Sequence, residues 1–283
     1  WIFSEACSMK SAAPAVNANG TVVYICDALG KAFAIDAASG QKKWQFSAGD
    51  AGRGLLVNGS ELLIGTQTDA FFVNIETGEQ IAKVTLGCEM SDITGFAVNS
   101  DKTLAYFGGR NGYIGAVNIK THEAIKSLVV EKDNPNLLYE PVVAPNGSVF
   151  AGSKNGSVYN VKGDLSAVNW EYVHTGSSLA NAFNYSHPCV DSENRFYITS
   201  GQTSNTTYIF DASGNVVDSW TYESGDNNQK QMGGNNYLDG VIYSAFIGGS
   251  SKNGVFVGKY VGGERASSWS THGGDICGSC CVK

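Results

Sequence analysis

Short apolar runs alternate with polar, glycine-containing turns along most of this chain of 283 residues. Residues 20–44 show the unit most clearly. An apolar run at 22–26 is followed by a second at 32–35 and a third that begins at Trp44, with turns at Gly30 and Gly40 between them. Glycine accepts positive φ, and Asp, Asn and Ser side chains bond to nearby backbone amides. The pattern therefore predicts antiparallel strands joined by tight turns.

The unit recurs six times, and each copy closes its second run with a polar or small residue. These closing positions are Asp36, Asn74, Asn118, Asn160, Asp211 and Gly258. They lie roughly 40–50 residues apart, which is the length of one four-stranded propeller blade. A further strand completes the unit and follows a proline in three copies, at Pro14, Pro141 and Pro188. Proline has no amide to donate and suits an innermost edge strand. We therefore predict an all-β fold, a β-propeller of four-stranded antiparallel blades.

The number of blades depends on how the ring closes. Residues 1–4 copy residues 44–47, so the chain begins on what reads as an outer strand. Trp269 also reads as an outer strand, and both cannot occupy the same place in the sixth blade. Closure by the N-terminal strand gives six blades, which we predict, and a degenerate extra blade gives seven.

The repeat resembles that of the pyrroloquinoline-quinone-type propellers, the quinoprotein alcohol dehydrogenase-like superfamily. The resemblance rests on the glycine that opens the unit, the closing Asp36, the Ser39-Gly40 turn and Trp44. It covers residues 1–269, most closely at 20–44. It implies that the outer-strand tryptophans pack between blades. We expect one propeller domain over residues 1–271 and a cysteine-rich tail over 272–283.

The same resemblance raises the question of a cofactor. Cys280 and Cys281 are adjacent, as are the cysteines that lie over the quinone in the related alcohol dehydrogenases. This chain is about half as long as those enzymes, and their calcium ligands match no motif here. Cys277, Cys280, Cys281 and His272 also offer the ligand types that zinc prefers, without a paired C-x-x-C spacing. We predict neither a cofactor nor a metal site.

Composition and charge narrow the class of partner. A net charge of −7 and a pI near 5.1 argue against nucleic acid, because no basic stripe supplies phosphate contacts. No apolar run reaches the ~20 residues that span a bilayer. Trp1 lies in the middle of a repeat, so we expect further domains in the full-length protein. We expect such a binding module to be exported to the periplasm or the cell surface.

The candidate binding residues lie on loops that lead into the innermost strands and on turns between the middle strands. Aromatic, amide and carboxylate groups in such loops are typical of sites for sugars or peptides. The predicted ligand-binding residues are Asp92, Arg110, Tyr139, Glu140, Tyr185, His187, Asn235 and Tyr237. Because innermost strands run in one direction around the axis, we expect Tyr139, Glu140, His187 and Tyr237 to converge on one arc of the central opening.

The sequence favours a non-catalytic module that binds a glycan, a peptide or a protein over an enzyme. It contains no set of residues typical of a catalytic site. The alternative is an enzyme, either quinone-dependent or acting on a glycan through carboxylates such as Asp92 and Glu140. Glycoside hydrolysis requires two carboxyl groups roughly 5–10 Å apart.

Overall fold

The computed structural model of the chain consists of strands, turns and loops, with no helix among the residues that it describes. Those residues are 1–6, 13–92, 94–130, 138–173, 187–200, 206–221, 230–231, 235–238, 240–247, 254–262 and 281–282. The predicted all-β class is confirmed.

The first three sheets follow one another along the chain, and each begins a new copy of the repeat. The first contains β1 (Ala15–Val16), β2 (Val22–Cys26), β3 (Lys31–Asp36) and β4 (Lys42–Ser47). The second contains β5 (Gly54–Asn58), β6 (Glu61–Gly65), β7 (Asp69–Asn74) and β8 (Gln80–Thr85). The third contains β9 (Ala97–Val98), β10 (Leu104–Gly108), β11 (Tyr113–Asn118) and β12 (Glu123–Val129).

The remaining sheets continue the pattern. The fourth contains β13 (Val142–Val143), β14 (Val149–Gly152), β15 (Val158–Val161) and β16 (Val168–Tyr172). The fifth contains β17 (Cys189–Val190), β18 (Phe196–Ser200), β19 (Thr206–Phe210) and β20 (Val216–Thr221). In the sixth, β21 (Lys230–Gln231) and β22 (Asn236–Leu238) both pair with one edge of β23 (Val241–Ile247), and β24 (Gly254–Tyr260) pairs with the other. A last strand, β25 (Cys281–Val282), joins the second sheet beside β5.

The first strands of successive sheets lie next to one another and form the inner ring. β1 lies against β5, β9 against β13, β13 against β17, and β17 against β22. The core fills the spaces between sheets. Phe150 of the fourth sheet, for example, stacks on Phe196 of the fifth with ring centroids 4.8 Å apart, and both side chains are fully buried. The fold is a β-propeller, as the sequence predicts.

The closing polar residues act as turn formers. The Asp36 carboxylate accepts hydrogen bonds from the amides of Ala38 (3.1 Å) and Ser39 (2.8 Å). The Asn74 side chain does the same for Glu76 and Thr77 at 2.9 and 3.0 Å. These groups satisfy the backbone of the tight turn, so their role is structural.

Outer-strand tryptophans join the first sheet to the second and the fourth sheet to the fifth. Trp44 is 8% exposed, and its indole Nε1 donates to the Ile75 carbonyl at 2.9 Å, one residue beyond the closing Asn74. Trp170 makes the same bond to the Ala212 carbonyl at 2.9 Å, one residue beyond Asp211. The predicted packing of these rings between blades is confirmed.

Trp1 repeats this contact on the first sheet. Its Nε1 donates to the Ala37 carbonyl at 2.9 Å, and Phe3 packs edge-on against Phe33 at 5.2 Å, as Phe46 does against Phe71. The N-terminal stretch thus holds the place of an outer strand that precedes the first sheet, which favours closure by that stretch. The described residues form six sheets. Trp269 lies outside the described residues, so a total of six blades stays a prediction, as does the domain boundary at residue 271.

Candidate functional site

One face of the propeller, here called the upper face, carries the loops that lead into the first strands and the turns between the second and third strands. The two kinds of segment touch in several of the sheets. The amide of Arg110, in the turn between β10 and β11, donates to the Glu89 carbonyl of the loop before β9 at 2.8 Å. In the fourth sheet the amide of Tyr139 donates to the Gly152 carbonyl at 2.9 Å. The opposite face, with the turns after β1, β5 and β7, is called the lower face.

A carboxylate held by two arginines lies on the upper face between the second and third sheets. Arg53 directly precedes β5, Asp92 lies in the loop before β9, and Arg110 lies in the next turn. The Arg53 Nη1 donates to Asp92 Oδ1, and the Arg110 Nη2 donates to Asp92 Oδ2 at 2.5 Å. Asp92 therefore ties two blades together through charge-assisted bonds.

Two further polar side chains extend this group. The Gln67 Oε1 accepts from Arg53 Nη2 at 3.0 Å, and its Nε2 donates to Glu89 Oε2 at 2.8 Å. Glu89 Oε2 also lies 4.0 Å from Arg110 Nε. We call Arg53, Gln67, Glu89, Asp92 and Arg110 the charged patch.

Burial divides the charged patch into an anchor and an accessible part. The Arg53 side chain is 6% exposed, whereas those of Arg110, Asp92 and Glu89 are 32%, 40% and 46% exposed. Partial burial raises the pKa of Asp92, but hydrogen bonds from Arg110 and Arg53 outweigh it, so the pKa lies below its usual value. Asp92 is thus ionised at neutral pH, and the patch offers both signs of charge in fixed positions.

A second polar group lies on the same face around Glu140. The Glu140 side chain is 3% exposed, and its Oε2 is 3.4 Å from Nδ1 of His187, whose side chain is 24% exposed. The Asn235 amide donates to the His187 carbonyl at 2.9 Å, and its side chain accepts from Thr199 Oγ1 at 3.1 Å. A Cβ placed on Gly95 would lie 2.9 Å from the Glu140 carboxyl carbon, so the third sheet also borders this group.

The structure therefore gathers the predicted residues into two groups. Asp92 and Arg110 belong to the charged patch. Glu140, His187 and Asn235 belong to the second polar group, around Glu140. Their use in ligand binding stays a prediction. Tyr185 lies outside the described residues, and at Tyr237 only the backbone is described.

Tyr139 is buried, unlike the accessible residues of the charged patch. It is 2% exposed and belongs to a hydrophobic cluster that includes Phe150 and Phe196. Its ring therefore supports the contact between sheets, and a role in ligand binding stays a prediction.

Sequence reasoning missed Arg53 and Gln67. Arg53 precedes an innermost strand, the same kind of position as Glu140, so the ring argument that selected Glu140 also applies to Arg53. Gln67 lies in the turn between β6 and β7, like Arg110 in the next sheet. The position of each residue in the repeat could therefore have identified both as candidate site residues.

The lower face holds a separate cavity of about 420 Å³ between the first two sheets. It is lined by Asn17, Ala18, Asn19, Gly59, Ser60, Ile75 and Glu76. In the described part of the chain, no group of three or more His, Cys, Asp or Glu side chains is placed to hold a metal ion. Nor does that part contain a helix able to cross a membrane.

Comparisons with known proteins agree with this architecture. No curated protein matches the chain. Among solved structures, BamB from Moraxella catarrhalis matches with a TM-score of 0.54 and 13% identity, over 89% of this chain and 84% of that one. At this identity the likeness shows the fold alone.

The sequence model of one protein family matches residues 3–172, more than half of the chain. That stretch holds the charged patch and the first four sheets. The chain belongs to the family described as outer membrane protein assembly factor BamB.

Proposed function

We propose that this propeller is a protein-binding module that works outside the cytoplasm and contacts its partner through the charged patch on the upper face. The observation that carries the proposal is the clamp of Arg53 and Arg110 on Asp92, with Glu89 and Arg110 half-exposed beside it. The partner is a protein surface that presents complementary charges.

The geometry of the patch suits recognition between proteins. Arg53 is buried and bonded to both Asp92 and Gln67, so the accessible charges are held in place before a partner arrives. Preorganised groups lose less entropy on binding. Arginine is enriched in protein interfaces, and complementary charge raises the rate and specificity of association.

The family supports the class of partner and the location. Its description names an outer membrane protein assembly factor, and the solved neighbour carries the name BamB. We carry over from that name a partner that takes part in protein assembly at a membrane, and hence a place in the cell envelope. A glycan ligand has less support, since it rests on the composition of the loops alone.

Hydrolysis of a glycan by Asp92 and Glu140 has less support. A general acid needs a pKa near the working pH, whereas two guanidinium groups lower the pKa of Asp92. Glu140 is buried against His187 and Gly95. These placements suit structural and recognition roles.

The proposal is tested with the protein as bait for envelope proteins. Arg110→Ala removes an accessible charge of the patch, and Lys120→Ala, in the turn after β11 on the lower face, is the matched control. We expect one or more proteins that the wild type and Lys120→Ala capture equally and that Arg110→Ala captures about tenfold less, which corresponds to about 1.4 kcal/mol. Equal capture by all three forms contradicts the proposal. A glycan array is run in parallel. Binding on the array without capture of any envelope protein would indicate a glycan-binding propeller instead.

A further inference from the structure

The strand β5 differs from the other innermost strands. It spans five residues, all paired with β6, whereas β1, β9, β13 and β17 span two residues each. Its sequence, Gly-Leu-Leu-Val-Asn, has no charge and no proline. A long, uncharged edge strand is a template for pairing with another strand.

Three of the other innermost strands carry a protective residue. Pro14, Pro141 and Pro188 each directly precede the innermost strand of their sheet. Proline withholds an amide from the edge and discourages further pairing. β5 follows Arg53 instead, and its edge lacks this protection.

The edge of β5 that does not pair with β6 faces the axis of the propeller, and the chain itself pairs with that edge. β25 pairs there in parallel, with Cys281 opposite Val57 and Val282 opposite Asn58. The order across the sheet is β25, β5, β6, β7, β8, so β25 lies on the axial side. The repeat cannot produce this strand, because a four-stranded unit ends with β8.

We propose that the axial edge of β5 is a strand-addition site for extended polypeptide, and that the C-terminal segment around Cys281 and Val282 is its resident, displaceable occupant. Main-chain hydrogen bonds supply the affinity in such sites, and side chains add specificity. The segment thereby covers the edge of β5, which is the longest innermost strand among the described residues. This inference is independent of the charged patch.

The edge of β5 is longer than the described part of its occupant. Within the described residues, β25 pairs with Val57 and Asn58 of the five positions of β5. An extended ligand in the same parallel register would pair with residues 54–58 and would compete with β25 for Val57 and Asn58. The site therefore suits a ligand of about five residues.

The test uses a fluorescent peptide with the sequence of residues 274–283 and its cysteines replaced by serine. The full chain is compared with a variant that lacks residues 281–283, and Cys281→Pro in the full chain serves as a second way to free the edge. We expect the peptide to bind both variants at least about tenfold more tightly than the full chain. A matched peptide with proline at the position of Cys281 should not bind.

Hydrogen exchange locates the effect. Removing the last three residues should speed exchange at Val57 and Asn58, and the peptide should restore protection there, while residues 142–143 of β13 stay unchanged. The proposal is wrong if the peptide binds all forms equally, binds none of them, or protects a different segment.

Discussion

Trp44 donates a 2.9 Å hydrogen bond from its indole Nε1 to the backbone carbonyl of Ile75 in the next sheet. The same ring lies against Gly78, where a Cβ would come 2.8 Å from it. One side chain therefore satisfies a buried carbonyl and fills the space beside a turn. Trp170 repeats the arrangement with Ala212 and Gly214.

Replacing Trp44 should show how much this contact stabilises the ring. Trp44→Ala should lower the free energy of unfolding by about 3–5 kcal/mol, because a large buried ring leaves a cavity. Trp44→Phe keeps most of the apolar contact and leaves the Ile75 carbonyl with the 3.4 Å bond from Tyr24 Oη, so a smaller loss of about 0.5–1.5 kcal/mol is expected. Urea unfolding measures both values. A loss under about 1 kcal/mol for the alanine variant would contradict the packing described for this ring.

Two glycines with the same backbone conformation should respond differently to alanine. Gly78 has φ +76° and faces the Trp44 ring, whereas Gly59 has φ +60° and no atom within 4 Å of an added Cβ. Gly59→Ala should cost about 1 kcal/mol from backbone strain alone. Gly78→Ala adds a steric conflict and should cost about 2–4 kcal/mol. If both variants lose the same stability in thermal unfolding, the Trp44 ring moves aside for the added methyl group at no cost.

Asp92→Asn should destabilise the protein in a pH-dependent manner. The substitution removes the charge that balances buried Arg53, and a loss of about 1–3 kcal/mol is expected near neutral pH. Because folding lowers the pKa of Asp92, its ionised form adds stability above the pKa of the unfolded chain. That contribution disappears as the pH falls through the folded-state pKa.

The difference between wild type and Asp92→Asn should therefore shrink as the pH falls below about 4. Urea titrations over a series of pH values give this comparison directly. A difference that stays constant from neutral pH to about pH 3 would show that Asp92 is not held by the two arginines.

The sequence predicts the parts of the fold that depend on local chemistry. Asp36 and Gly40 define a turn by their own backbone and side-chain preferences, and that turn appears as expected. The alternation of short strands and turns likewise determines the blades. Given four antiparallel strands per blade, the loops before the first strands and the turns between the second and third strands must lie on the same face.

Contacts that depend on the path of a loop are harder to predict. Arg53 reaches Asp92 across 39 positions of sequence, and the bond requires the particular course of the loop before β9. Tyr139 and Glu140 are neighbours in an irregular segment, so no strand periodicity indicates that the tyrosine ring packs into the core. The pairing of Cys281 and Val282 with β5 has no signal in the repeat.

Photo-cross-linking in cells tests most directly whether the upper face binds a protein. A photo-reactive amino acid replaces Glu89, which is half-exposed in the charged patch, or Glu76, which is exposed at the lower-face cavity. Adducts are resolved by size and identified by mass spectrometry. We predict a discrete adduct with one protein of the cell envelope from position 89, weakened by Arg110→Ala, and none from position 76. An adduct from position 76 alone, or adducts at both positions that Arg110→Ala leaves unchanged, would contradict it.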